Sequence, residues 1–355
     1  MSRDALPVVV AGSRFGQFYA AGLAGSGDYR LAGILANGGA RSAALAAKVG
    51  VPLYETPEAL PDDVRLACVA VGGAARGAAG GELARRLMMR GIDVLIEHPL
   101  LPVQWDDLLR EAGRHRRRCL LNGFYPNLPV VAKFIDVARR LGRQRGAVHV
   151  DATCSVQLGY ALLEVLAGML EGVGPWSIEP ERAGRSSMRA CSMMLVETPV
   201  SLRVHNEMAA GDDGRMQLLF RIALQVDGGT WTLASPHGPL LWEPAIRAPG
   251  TDARGLFPIF DGAAGVSGLP SVQLYEARPP GWEHIHATVW PQAAVRALAP
   301  LVTGHGLAAA NQRSTEVTRL WQRLTGVLGF PAQPLHDLPG EALEQALEHT
   351  LEPAE

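Results

Sequence analysis

The sequence predicts a two-part α/β protein. A doubly wound parallel sheet occupies residues 1–122, and an α+β domain with an open, mainly antiparallel sheet occupies 123–355. Three observations carry this. Short runs of Val, Ile and Leu alternate with helical stretches through the first third of the chain, the pattern of a parallel sheet covered on both faces. The first run, Val8-Val9-Val10, leads at once into a Gly-bearing turn and a helix. Beyond Gly123 the alternation gives way to successive strands separated by turns such as Asp227-Gly228-Gly229.

The elements follow in order. Tyr29–Ala36 reads as the second strand and Ser42–Val49 as the second helix. Val51–Tyr54 is a short extended piece, and Thr56–Leu60 a capped helical turn. Leu66–Val71 is a buried strand ended by Gly72, and a helix from about Ala75 to Arg90 stops at Gly91. Asp93–Leu100 is a strand bearing Glu97 and His98 near its carboxyl end. A helix from Val103 to Arg116 leads to the strand Cys119–Asn122. Phe124–Asn127 is a loop, Leu128–Leu141 an amphipathic helix, Gly146–Cys154 a strand and Leu158–Leu170 an apolar helix. Strands are expected at Met188–Glu197, Val200–Glu207, Arg215–Val226 and Thr230–Ala234, with a hairpin turn at Asp212-Asp213-Gly214. A Pro/Gly-rich connection from Pro244 to Pro270 precedes a short strand at Ser271–Tyr275 and helices at Ala293–Gly304, Thr315–Thr325 and Glu341–Leu351.

Composition narrows the class. With 355 residues, 48% hydrophobic, the chain can bury two cores, and a net charge of −2 gives no footprint for nucleic acid. The basic run Arg114-His115-Arg116-Arg117-Arg118 closes a predicted helix, where cations complement the dipole. Four well-separated cysteines form no C-x-x-C pair, so no metal site is expected. No apolar run reaches the ~18 residues of a membrane span, and Met1-Ser2-Arg3-Asp4 opens no signal peptide. The expectation is a reduced, cytoplasmic protein with no membrane partner.

The first turn is the chemical focus. Strand, Gly turn and helix N-terminus in that order present bare backbone N–H groups and a positive dipole end to a dinucleotide pyrophosphate. Gly12, Ser13, Arg14, Phe15 and Gly16 are the candidate residues. The G-x-G-x-x-G pattern is met loosely: Gly16 is the third glycine, and Ala11 and Ser13 fill the first two places. The second strand ends in Asn37-Gly38-Gly39 with no acid to take a ribose 2′-hydroxyl. Arg41 and Ser42 open the next helix and suit a 2′-phosphate, so NADPH is expected over NADH. Gly72 and Glu97, at two further strand ends, complete the predicted cofactor set with His98.

Together with Gly91-Ile92-Asp93-Val94-Leu95-Ile96-Glu97-His98-Pro99-Leu100, this order resembles the Gfo/Idh/MocA oxidoreductase family, whose first domain is a Rossmann fold. The segments Gly12–Tyr19, Ala40-Arg41-Ser42, Glu97–Leu100 and Asn122-Gly123-Phe124-Tyr125-Pro126-Asn127 make it most similar to the thiazolinyl imine reductases of siderophore biosynthesis. In the wider family the motif after the strand usually reads Glu-Lys-Pro, and here His98 stands at the Lys position. A loose alignment puts Ala161 where sugar-oxidising members carry His, so polyol oxidation is doubtful. The resemblance implies NADPH-dependent reduction of a thiazoline C=N to a thiazolidine. The substrate would be a hydroxyphenyl-thiazolinyl intermediate, held as a thioester on a nonribosomal peptide synthetase carrier domain. A homodimer is the expected assembly. The nitrogen needs a proton, and His98 and Tyr125 are the two candidate donors, with water a third source. Trp231, His237 and Trp242 are possible lining residues, with core packing the alternative. A sugar or small-carbonyl oxidoreductase of the same fold, and a non-catalytic nucleotide-binding synthetase partner, are the other readings.

Overall fold

The computed structural model describes residues 5–71, 79–181, 187–209, 214–245, 254–256, 271–275 and 280–333. The first sheet is parallel, six strands in the order β3-β2-β1-β4-β5-β6. They are β1 (Leu6–Ala11), β2 (Tyr29–Leu35), β3 (Leu53–Tyr54), β4 (Leu66–Val69), β5 (Asp93–Glu97) and β6 (Cys119–Asn122). Between them run α1 (Gly16–Ala24), α2 (Ala40–Val49), α3 (Ala79–Met89) and α4 (Pro102–His115). This is the doubly wound order, in which ligands lie beyond the carboxyl ends of the strands where the order reverses. Val8, Val9, Val10, Ile34, Val69 and Leu95 are buried at its centre, as strands covered on both faces require.

A 3-10 turn at Tyr125–Asn127 and α5 (Pro129–Arg145) lead to the second sheet, whose order is β14-β13-β12-β11-β7-β10-β9-β8. Its strands are β7 (Ala147–Ser155), β8 (Trp176–Pro180), β9 (Met188–Leu195), β10 (Thr198–His205), β11 (Phe220–Val226), β12 (Gly229–Leu233), β13 (Leu240–Pro244) and β14 (Val272–Tyr275). The pairings are antiparallel except that β7 and β10 run parallel. Alternating residues of β10 and β11 are buried. Packed against α5, β7 and the late helix that spans Leu307–Leu328 is α6 (Gly159–Met169), every residue of which is buried. Its lack of a polar face in the sequence is the signature of such a helix.

The structure corrects several sequence expectations. β8 and β13 were not expected. β11 starts at Phe220 rather than Arg215, because residues 215–219 form a loop. The helix expected at Ala293 begins at Trp282, with α7 (Trp282–His284), a π-turn at Ile285–Val289 and α8 (Trp290–Arg296) running on in one path. The short α9 (Ala299–Thr303) follows, and α10 (Leu307–Leu328) is longer than Thr315–Thr325. Gly72, Asp212-Asp213 and the predicted helix Glu341–Leu351 lie outside the described residues. The two sheets fall on either side of residue 122, yet the late helices return to the first sheet. Trp105 Nε1 of α4 donates to Thr315 Oγ1 at 3.1 Å, and Asn311 Nδ2 donates to the Cys119 carbonyl at 3.0 Å. Among the described residues, no single helix is long and apolar enough to cross a membrane.

Candidate functional site

Two connected clefts open along the carboxyl edge of the first sheet and share Arg14, Ala70 and Val71. The first, about 750 Å³, runs between Gly12 and Arg86. Gly12 sits at φ +99°, and a Cβ there would fall 2.4 Å from the Ala70 carbonyl oxygen. Only glycine permits this turn. Gly16 is buried as the first residue of α1, close to Val10, and lines neither cleft. The N-terminus of α2 faces the same cleft through Ala40, Arg41 and Ser42. Arg41 Nε donates to Ser13 Oγ at 3.4 Å. The Ser42 hydroxyl is already committed, donating to the Gly39 carbonyl at 2.7 Å inside the helix's first turn. Of the pair, Arg41 is therefore the residue left to meet a ligand in the cleft. Glu55 lines the opposite wall, beside Gly38.

The second cleft, about 770 Å³, lies between the two sheets and is walled in large part by rings. Phe15 does not turn toward the first cleft. Its ring meets Phe124 at 4.9 Å and Trp290 at 6.0 Å. Tyr125 packs against Phe220 at 5.3 Å, and Trp282, 55% exposed, stands at the mouth. Edge-to-face contacts of this kind lock ring positions beyond simple burial.

His98 and Glu97 reach this cleft from the end of β5. His98 Nδ1 lies 2.8 Å from the Asn122 carbonyl oxygen and 3.6 Å from Glu97 Oε2. The carbonyl can only accept, so Nδ1 carries a proton and Nε2 is the nitrogen that titrates. Burial works against a charge on His98. The bond and charge of Glu97, the Asn122 carbonyl and the charge of Glu164 outweigh it, holding the imidazole above its ordinary value. Glu97 is buried, and its carboxylate accepts from the Tyr19 hydroxyl and, at 3.0 Å, from Asn122 Nδ2. Asn122 Oδ1 in turn takes the Phe124 amide at 2.9 Å. Glu97 thus ties the β5 and β6 ends together. Tyr19 and Asn122 were missed as site residues, although the buried polar Asn122 closes an apolar strand.

Tyr125 is buried, and burial pushes its phenol well above the ordinary tyrosine range. Its proton is thereby held more tightly than in an exposed tyrosine. Trp231 is no lining residue: it stacks on Phe134 and donates to that residue's carbonyl at 3.2 Å in the core. Trp242 pairs with it across the sheet. His237 is buried beside Trp282 and Trp290, behind the cleft wall. Among the described residues, no group of three or more His, Cys, Asp or Glu side chains is placed to hold a metal ion.

Residues 6–123 match the sequence profile of the Gfo/Idh/MocA oxidoreductases, NAD-binding Rossmann fold. By this match the first domain is similar to the Gfo/Idh/MocA Rossmann domains. Solved structures share the fold of both domains. GenD2 from gentamicin A biosynthesis, in complex with NAD, is 16% identical over 90% of this chain and 93% of its own, with a TM-score of 0.62. UDP-N-acetylglucosamine 3-dehydrogenase GnnA from Acidithiobacillus ferrooxidans is 14% identical over 92% and 99%, TM-score 0.65. An oxidoreductase from Agrobacterium radiobacter, in complex with NAD+, L-tartaric acid and magnesium, is 11% identical over 89% and 94%, TM-score 0.66. None of the curated proteins matches the chain in sequence. The Gfo/Idh/MocA profile and the first cleft coincide: Gly12, Arg14 and Arg41 all fall within the matched residues.

Proposed function

We propose that the protein uses NADPH to reduce a thiazoline C=N to a thiazolidine. The substrate is a hydroxyphenyl-thiazolinyl intermediate, held as a thioester on a carrier domain of a nonribosomal peptide synthetase that makes a siderophore. The observation that carries this reading is the second cleft: aromatic walls around His98, in the place where the family usually has lysine. Flat aryl and thiazoline rings match such walls. A hydroxyl-rich sugar would depend instead on Arg14, Glu97, Gln157 and His286 in the same lining. Sugar oxidation, the activity in the name of GnnA, is the competing reading.

The residues present fit the dinucleotide. The turn of Gly12, Ser13 and Arg14 would hold a pyrophosphate, and the guanidinium of Arg41, beside Ser13, a 2′-phosphate. When bound, the nicotinamide supplies the hydride. The chain's residues do the rest. Phe15, Phe124 and Trp290 orient the flat substrate and exclude water. His98, protonated and fixed through Nδ1, delivers the proton that the ring nitrogen gains, and solvent restores it. Tyr125 donates a hydrogen bond without losing its proton. The carrier approaches from the mouth at Trp282, and a second copy of the chain covers the open face of the eight-stranded sheet. The test is loss of nicotinamide absorbance when purified protein, NADPH and a small aryl-thiazoline are mixed. Turnover is expected with the thiazoline and not with sugars; sugar oxidation without C=N reduction overturns the assignment.

A further inference from the structure

Behind His98, on the side away from the cleft, α6 carries two polar residues in an otherwise apolar helix. Tyr160 and Glu164 are four positions apart and share one face. The Tyr160 ring stacks on the His98 imidazole, centroids 4.9 Å apart and planes inclined by 16°. Its hydroxyl donates to Glu164 Oε1 at 3.1 Å, and Ser314 Oγ of α10 donates to the same oxygen at 3.3 Å. Glu164 is 7% exposed. It is pressed against Gly123, where a Cβ would fall 2.8 Å from Glu164 Cγ, so a larger residue at the end of β6 would push the carboxyl away. A carboxyl so deep is costly unless its environment uses it. Neither residue touches the cleft.

We propose that Tyr160 and Glu164 are positioning residues for His98: Tyr160 fixes the plane of the imidazole from behind, and Glu164 supplies a negative field that steadies its cationic form. Other groups act on the same ring. Glu97 faces it from β5, the Asn122 carbonyl from β6, and Tyr19 acts through Glu97 from α1. Arg313 and Ser314, on α10, bear on Glu164. Burial lifts the Glu164 carboxyl above the ordinary range, and Arg313, Tyr160, His98 and Ser314 pull it back. The charge that reaches His98 is therefore set by a pair of helices that line neither cleft.

The direct test reads His98 itself and needs no substrate. Full-length protein labelled at its histidine rings is titrated by NMR, with His98 assigned by its absence in His98→Gln. Glu164→Gln is expected to lower the His98 midpoint by about half a unit or more, a threefold change in proton affinity. Tyr160→Phe keeps the ring and cuts the hydroxyl, and should give a smaller shift in the same direction. Ser314→Ala provides the same reading should Glu164→Gln not fold. The His149 midpoint should stay fixed in all of them. An unmoved His98 midpoint in Glu164→Gln and Ser314→Ala overturns the proposal. The kinetic arm rests on the proposed reduction: the alkaline limb of the kcat profile should move down with the NMR midpoint. An NMR shift without any C=N turnover would sink the assigned reaction and leave the positioning role standing.

Discussion

The cleft at Gly12 and Arg41 is walled by backbone, arginines and carboxylates, whereas the cleft at His98 and Trp290 is walled in large part by rings. The first is built from consecutive strand–turn–helix units of one domain, so its shape is local. The second gathers residues from α1, β5, the loop after β6 and the helical path that begins at Trp282. A site for a common ligand needs little beyond a standard turn; a site for a particular substrate is assembled over long sequence distances. The contrast also explains why likeness to known proteins is detected in sequence only over residues 6–123.

That contrast can be broken in steps. His98→Ala should lower kcat with an aryl-thiazoline by roughly 10²–10⁴-fold. NADPH affinity should stay within about twofold, read by fluorescence titration; equal loss in both would move His98 into the nucleotide cleft. Gly12→Ala should do the converse. Placing a Cβ at φ +99° and 2.4 Å from a carbonyl oxygen costs about 3 kcal/mol, seen as a lowered Tm with NADPH binding lost.

A third effect lies behind the ring-walled cleft. Burial, helped by the charge of His286, holds His237 down at about 4 from an ordinary 6.5. The unfolded chain therefore takes up a proton before the folded one does. Stability is full above 6.5 and falls as pH drops toward 4, by about 2 kcal/mol at pH 5. Urea unfolding at pH 7 and pH 5 measures this, and His237→Gln should flatten the difference. Arg41→Ala should weaken NADPH binding about tenfold, or 1.4 kcal/mol, and leave NADH untouched. Equal weakening of both would mean that Arg41 serves the pyrophosphate instead. The smallest expected effect is on the thiols. Burial pushes Cys119 up to about 12 and Cys191 up to about 11, so alkylation of the native protein should be slow at both.

The first domain was legible because each of its elements declares itself within a few residues. Val8-Val9-Val10 followed by Gly12 is enough to place β1, the turn and α1. The second sheet was legible only where strands alternate, as in β10 and β11. β8 and β13 sit toward the sheet's two edges, carry proline at their ends and alternate little, so nothing in Trp176–Pro180 or Leu240–Pro244 sets them apart from loop. At the site, His98, Glu97 and Tyr125 could be found because they stand at strand ends or in the loop that follows. Tyr160 and Glu164 could not, because their importance comes from what α6 packs against. A signal was present all the same: one ionisable side chain in an apolar helix, four residues after a tyrosine.

The helices after residue 281 wall the second cleft and also brace the first domain. Trp290 meets Phe15, just before α1, and Phe18 on it, and Thr315 accepts from Trp105, 210 positions earlier. The rings of the second cleft therefore come together only once the chain has reached Trp290, 278 positions after the glycine that shapes the first.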